Sequence, residues 1–456
     1  MKTQLIKLTI PILLTQMLLV LAPITDTIYA GQYSALLLAA LGLGASIYVT
    51  LYVILIGIIQ IFNALLSHAH GAKETPTFRH LHGQAYLLIA ILSVIGIAIL
   101  NYSPLWMYAT ADNSSLQELI VPYLRGMAAA LPAALLIRFG TTYLNTLNQP
   151  WNALVIALFY LFFKVSITLT LLLNMSHSHM EAITNCALSS TITNWSIVSI
   201  LFIFMASNRK LTPYLPTWPS TICCKKTIKK VLRLGWSNGI IHCIQSTSFY
   251  IISMIMVPLG VHQIGANHIA SNLVSIIYVG PVSLGTATTI LVARQRGAEK
   301  YDGIRQTLRS SMRIALFCSI FLALLMVGYA HKISNFFNNN PNVGSIVLPL
   351  IPIISLFQIF DWMSIIQYAV LKGMEQTFWP MIIYMVCMWG IGIGGGYIAT
   401  LMSWQKTFET NYLGVQIFWM SCTLSLAICN AFLHICYIWT QKNLHRNNYQ
   451  LVKNTN

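Results

Sequence analysis

The sequence predicts an all-helical integral membrane protein of twelve spans, arranged as two six-helix bundles. Three observations carry this expectation. The 456-residue chain is 56% hydrophobic and only 8% charged, against roughly 25% charged residues in a soluble domain. Twelve apolar runs are long enough to cross a hydrocarbon core of ~30 Å. The two halves of the chain also repeat each other.

The first run, near residues 8–30, is too long for a cleavable signal, lacks an Ala-x-Ala exit and leads almost at once into the second, near 35–67. Runs near 83–108, 119–145, 152–174 and 183–206 complete the first half. The longest polar interruption follows, Asn208–Arg233, with three prolines and five lysines. It reads as a linker at 208–230 between an N-lobe, 1–207, and a C-lobe, 231–456. The C-lobe holds runs near 234–257, 264–293, 311–330, 345–371, 378–402 and 412–440.

The net charge is +16, which in a soluble protein would suggest a nucleic acid partner. The placement of the charges excludes that reading. If both termini are cytoplasmic, that side carries 21 of the 26 lysines and arginines, and the opposite loops hold only Lys332 and Lys406. Such asymmetry obeys the positive-inside rule, so basicity is a signal of topology. The expected setting is the inner (cell) membrane, crossed many times, with the lipid bilayer as solvent. The nine cysteines form no Cys-x-x-Cys pair and read as free thiols, buried as small hydrophobes or, at Cys223-Cys224, kept reduced in a cytoplasmic loop.

The repeat is specific. Gly71-Ala72-Lys73-Glu74 returns 226 residues later as Gly297-Ala298-Glu299-Lys300, and Gly57 corresponds to Gly285. Leu144-Asn145-Thr146-Leu147-Asn148-Gln149 precedes Leu371-Lys372-Gly373-Met374-Glu375-Gln376 by 227. Six spans return the chain to its starting side, so the halves repeat in parallel about an axis along the membrane normal. Two such bundles leave a cleft between them, and rocking would give alternating access.

At these glycines the chain resembles the multidrug and toxin extrusion (MATE) family. Asp26-Thr27-Ile28-Tyr29-Ala30-Gly31 is similar to the family's first-helix D-T-x-x-x-G, with Pro11 as its early proline. Pro258-Leu259-Gly260 and Pro281-Val282-Ser283-Leu284-Gly285 match P-L-G and P-x-S-x-G. Gly392-Ile393-Gly394-Gly395-Gly396-Tyr397 resembles G-L-P-x-G-Y, with Gly394 in place of proline. The resemblance implies a V-shaped pair of bundles, expected as a monomer, that expels small-molecule organic cations in exchange for Na⁺ or H⁺ and needs no other cofactor.

Of ten acidic residues, only Asp26 and Asp361 lie well inside apolar segments. A carboxylate there costs a few kcal/mol and is normally retained for ion or substrate work. A protonated Asp bonded to a neighbouring helix is the alternative. The resemblance makes Asp26 the N-lobe acid, with Phe162, Ser166 and Ser190 at the positions of its oxygen-bearing neighbours. It makes Asp361 the C-lobe acid and places Gln245 where the NorM-type branch has a glutamate. Gln245 and Asp361 are then left to hydrogen-bond each other or a cationic substrate. Lys164 sits about 200° around a helix from Phe162 and Ser166, which argues against pairing with Asp26. Arg125 and Arg138 lie near enough to helix ends to snorkel.

His242, one turn before Gln245, can titrate near neutral pH or serve as a core histidine. Tyr250 and Met254 are candidate cleft residues for flat apolar cations. The pairs His68/His70 and His80/His82 read as solvated, since His-x-His alone does not make a metal site. Neither a Walker loop nor a Gly-x-Ser-x-Gly elbow occurs, so ATP-driven pumping and hydrolysis are unsupported and an enzyme is not expected. A flippase for a lipid-linked precursor, an uncoupled relative and a membrane enzyme built on the histidine-rich loop are the competing functions.

Overall fold

The computed structural model describes residues 1–102, 114–175, 178–216, 224–256, 260–337, 341–404 and 414–455, nearly all of them helical. The first span is broken in two, α1 (Lys2–Leu21) and α2 (Ile24–Tyr33). Pro23 sits at the break because it can donate no hydrogen bond back along the helix. The second span is likewise α3 (Ala35–Ile59) and α4 (Phe62–Gly71). Next come α5 (Thr75–Asn101), α6 (Ser114–Thr146), α7 (Pro150–Met175) and α8 (His179–Ser207), followed by a single 3₁₀ turn at Thr212–Tyr214.

The second half opens with α9 (Lys225–Ile255) and α10 (Val261–Gly297), then α11 (Tyr301–Gly328), short α12 (Ala330–Phe337) and α13 (Pro341–Gly373). Its eleventh span is composite: α14 (Phe378–Met385), a π-helical stretch Val386–Gly394 and α15 (Gly395–Trp404). The final helix is α16 (Gly414–Thr455). Among the described residues, eleven helical segments have the length and hydropathy to cross a membrane. The remaining long helix, α9, begins nine residues before the apolar run expected at 234, because its first turns carry Lys225, Lys226, Lys229, Lys230 and Arg233.

The chain forms two compact units: residues 6–239 with 297–299, and residues 1–5, 240–296 and 300–456. The division falls within α9, beyond the 208–230 segment. In the first unit, α6 and α8 pack most extensively. A side chain at Gly126 would meet the Ala187 Cβ at 2.6 Å, so glycine sets the approach of these two helices. Hydrogen bonds reinforce the contact: Thr191 Oγ1 donates to the Gly126 carbonyl at 3.0 Å and Trp195 Nε1 to that of Ala129 at 3.1 Å. In the second unit α13 packs on α16 and α11. Trp419 Nε1 donates to Asn267 Oδ1 at 3.1 Å, and Thr289 Oγ1 to the Ala369 carbonyl at 2.9 Å. Such bonds hold helices together where lipid provides no hydrophobic drive.

The internal repeat extends to the backbone. Among the described residues, four that are not glycine adopt left-handed torsions, Lys73 (φ 60°), Asn148 (60°), Glu299 (57°) and Glu375 (61°). They fall in two pairs at the repeat offsets. Each ends a helix with the same closure: Glu74 N–H donates to the Ala69 carbonyl at 3.0 Å and Lys300 N–H to Gln295 at 2.8 Å. Gln149 N–H donates to Leu144 and Gln376 N–H to Leu371, both at 2.9 Å. This six-to-one bond satisfies a carbonyl that the helix leaves free.

The histidine-rich segment is not a solvated loop. His82 is fully buried in α5, its ring nitrogens each 3.1 Å from a partner, the Tyr214 carbonyl and the Tyr86 hydroxyl. Phe139 and Tyr143 pack on the imidazole at centroid distances of 5.3 and 4.6 Å. The aromatic neighbours come from α6, which no local reading of the His-x-His spacing reveals.

Candidate functional site

Asp26 occupies the first turn of α2, just past the Pro23 break, and is 5% exposed. The break turns this carboxylate inward against α7 and α8. Lys164 of α7 reaches it directly, with Nζ 2.8 Å from Asp26 Oδ2. The same ammonium donates to Ser189 Oγ and Ser190 Oγ on α8, each at 2.8 Å. A lysine has three N–H donors, and all three are used. Ser189 and Ser190 in turn donate to the Cys186 carbonyl at 2.9 and 3.2 Å, which leaves their lone pairs free for Lys164. Thr168, one turn along α7, lies 3.4 Å from the other carboxylate oxygen and 3.2 Å from Ser189 Oγ.

The side chains of Lys164 and Asp26 are only 2% and 8% exposed. Two opposite charges withdrawn from water are tolerable only when paired and fully hydrogen-bonded, and this network meets both conditions. Among the described residues, the Tyr123 and Tyr160 hydroxyls and the Cys186 thiol are the other titratable groups within electrostatic range of the carboxylate.

This geometry corrects the expected lining on α7. Ser166 is not among the hydrogen-bond partners of Asp26, and its carbonyl accepts from Thr170 at 2.8 Å. Phe162 is 65% exposed. The face toward Asp26 is Lys164 and Thr168, two residues out of phase with the expected pair. Lys164, expected to point away, is the carboxylate's main partner. Ser190 is where it was expected, beside the Asp26 carboxylate, and it also accepts from the Lys164 ammonium. The signal that could have found the pair is the i, i+4 spacing of Lys164 and Thr168 on an otherwise apolar helix. Arg138 is also held inside, with Nη1 donating to Gln16 Oε1 at 2.8 Å, in place of the expected snorkelling. Arg125 is exposed.

The second unit presents a different acid. Asp361 lies on α13 and is 6% exposed. Its Oδ2 has no hydrogen-bond partner among the described residues. Gln245 bonds to Tyr278 instead of Asp361, its Oε1 accepting from the tyrosine hydroxyl at 2.8 Å. Tyr278 and Tyr384 both lie within electrostatic range of Asp361. Tyr278 was not legible as a site residue because it belongs to α10, 33 residues beyond Gln245. His242 is half-buried and partnered. Met254 is 76% exposed, and the side chain of Tyr250 lies outside the described residues. Among those residues, no cluster of three or more His, Cys, Asp or Glu could hold a metal.

Comparison with known proteins fits this architecture. The chain is 27% identical over 432 residues to a "Probable multidrug resistance protein NorM" of Mannheimia succiniciproducens, covering 94% of this chain and 92% of that one. A protein of the same description from Aromatoleum aromaticum is 26% identical over 389 residues, 85% and 84% of the two chains. The fold superposes on the Vibrio cholerae MATE transporter VcmN in its bent form with a TM-score of 0.86 at 14% identity, over 97% of both chains. It superposes on the eukaryotic MATE transporter AtDTX14 with 0.82 at 15%, over 98% of both. The MatE family's sequence model matches twice, over residues 11–170 and 239–398, once in each half of the internal repeat. With most of its length matched in this way, the chain belongs to the MatE family of membrane transporters and is not an enzyme.

Proposed function

We propose that the chain is a secondary antiporter that exports amphipathic organic cations in exchange for protons. The N-lobe, 1–207, and C-lobe, 231–456, alternate access to the two sides, and the chain works as a monomer. The observation that carries this reading is that, among the described residues, each unit has one buried carboxylate within an apolar helix, Asp26 and Asp361. Carboxylates at membrane depth are retained for ion or substrate work, and the named relatives are described as multidrug resistance proteins. A proton needs a single lone pair. Sodium needs several oxygens and a balancing charge, and the C-lobe has lost its second acid to Gln245. Asp26 is the main proton carrier, and Asp361 holds the substrate cation or a second proton. A flippase lined by cationic side chains gains no support, because Lys164 is committed to Asp26 and Arg138 to Gln16.

Dye efflux from proteoliposomes decides between the ions. Efflux is expected under a pH gradient without sodium and not under a sodium gradient at fixed pH. Efflux driven by sodium alone would overturn the proton assignment. The orientation has its own test. With both termini cytoplasmic in the inner membrane, Lys332→Cys should be labelled by an impermeant thiol reagent in intact cells. Lys442→Cys should be labelled only after permeabilisation. Labelling of both from one side rules this topology out.

A further inference from the structure

We propose that Lys164 is a built-in counter-cation that occupies the place a free sodium ion would take beside Asp26, so that ion exchange in the N-lobe is restricted to protons. The inference rests on the reading of Asp26 as the N-lobe coupling acid.

The Lys164 ammonium has what a bound cation would need: one carboxylate oxygen and two hydroxyl oxygens, all at 2.8 Å. Its side chain and that of Asp26 are almost fully buried, so a second cation has no room unless the ammonium leaves. Eviction would place a charged amine in an apolar bundle, which costs several kcal/mol. A proton has no such requirement. It forms an O–H bond on one Asp26 oxygen, evicts nothing, and leaves Lys164 protonated with Ser189 and Ser190 as acceptors.

The tethered cation also inverts the charge arithmetic of the lobe. A lone buried acid is neutral when protonated and charged when ionised. Here the ionised Asp26 is balanced by Lys164, and protonation leaves one unbalanced positive charge. Among the described residues, the remaining titratable groups that interact electrostatically with Asp26 are Tyr123 on α6, Tyr160 on α7 and Cys186 on α8. Each is neutral when protonated, so none can balance a positive charge in that state. Proton uptake therefore creates the strained state, and proton release restores the packed one. A cationic substrate gains Asp26 only by displacing Lys164.

The test is binding of radioactive sodium to purified protein, in an Asp361→Asn background that removes the C-lobe acid. The background protein is expected to bind no sodium that depends on Asp26. Adding Lys164→Gln, or Lys164→Ser if the glutamine variant does not fold, should make Asp26-dependent sodium binding appear, with a signal on the order of tenfold above the non-specific background. Further addition of Asp26→Asn should abolish the gain. Asp26-dependent sodium binding with Lys164 intact overturns the proposal, as does a folded Lys164 variant that gains none. If neither variant folds, the comparison of Asp361→Asn with Asp26→Asn/Asp361→Asn still decides it. The readout is separable from the vesicle assay: failure of proton-driven efflux would leave the binding result standing, and the reverse also holds.

Discussion

Asp26→Asn is expected to reduce dye efflux to that of empty vesicles and to destabilise the protein at the same time. Loss of export follows from removing the proton-accepting carboxylate of the N-lobe. Loss of stability follows from what remains. Lys164 would stand in the bundle with two serine oxygens and no counter-charge. Breaking a buried pair from one side typically costs about 3–5 kcal/mol. The double variant Asp26→Asn/Lys164→Met separates the two effects. Replacing a buried pair by groups of similar volume without charge is often neutral, so its melting temperature should return toward that of the unaltered protein while efflux stays absent. Wild-type efflux from the single variant would remove Asp26 from the mechanism. A double variant as unstable as the single one would show that the ion pair does not account for the loss.

Gly297→Ala should be the most damaging of the glycine-to-alanine changes among the described residues for which the added carbon's surroundings are defined. A Cβ at this position would run into the His68 carbonyl oxygen and lie 2.9 Å from the Ala72 amide nitrogen. Both are backbone atoms, so no rotamer change relieves the clash. Gly297 and the end of α4, which lie in the same unit, would have to separate. Overpacking of this kind costs about 1–3 kcal/mol and sometimes more. Gly265→Ala serves as the control, because its added carbon meets only a Val343 methyl at 3.9 Å. Thermal unfolding of the purified proteins should show a clear loss for Gly297→Ala and little for Gly265→Ala. Equal melting temperatures would show that this contact does not constrain the fold.

Most of the fold was legible because lipid imposes a simple grammar. Apolar runs of spanning length must be helical, and the polar turns between them are short. What escaped were details set by tertiary contact. The charged first turns of α9 are helical although no apolar run marks them. The histidine at position 82 is buried because α6 supplies aromatic partners from far along the chain. Asp26 and Asp361 were legible as the acids inside apolar segments. Lys164 was misread for a definable reason: its angle on α7 was reckoned from Phe162 and Ser166, assumed to face the site. Those two residues are two positions out of phase with the face that meets Asp26, so an angle measured from them points the ammonium away from its partner. The Asp361 Oδ2, without a hydrogen-bond partner among the described residues, and the bond between Tyr278 and Gln245 depend on how α9, α10 and α13 meet. No spacing along the sequence encodes that.

The four left-handed helix ends have a consequence for how this chain has changed over time. A side chain held in that torsion costs roughly 1–2 kcal/mol relative to a right-handed one. Yet the chain bears this cost at two pairs of matched places, with lysine opposite glutamate and asparagine opposite glutamate. The residue types have drifted, in one pair to opposite charge, while the torsion and its closing hydrogen bond have stayed within a few degrees and tenths of an ångström. The closing bond runs between main-chain atoms, so mutation can rewrite the side chain without rerouting the backbone. The internal repeat therefore survives more faithfully in the path of the main chain than in its letters.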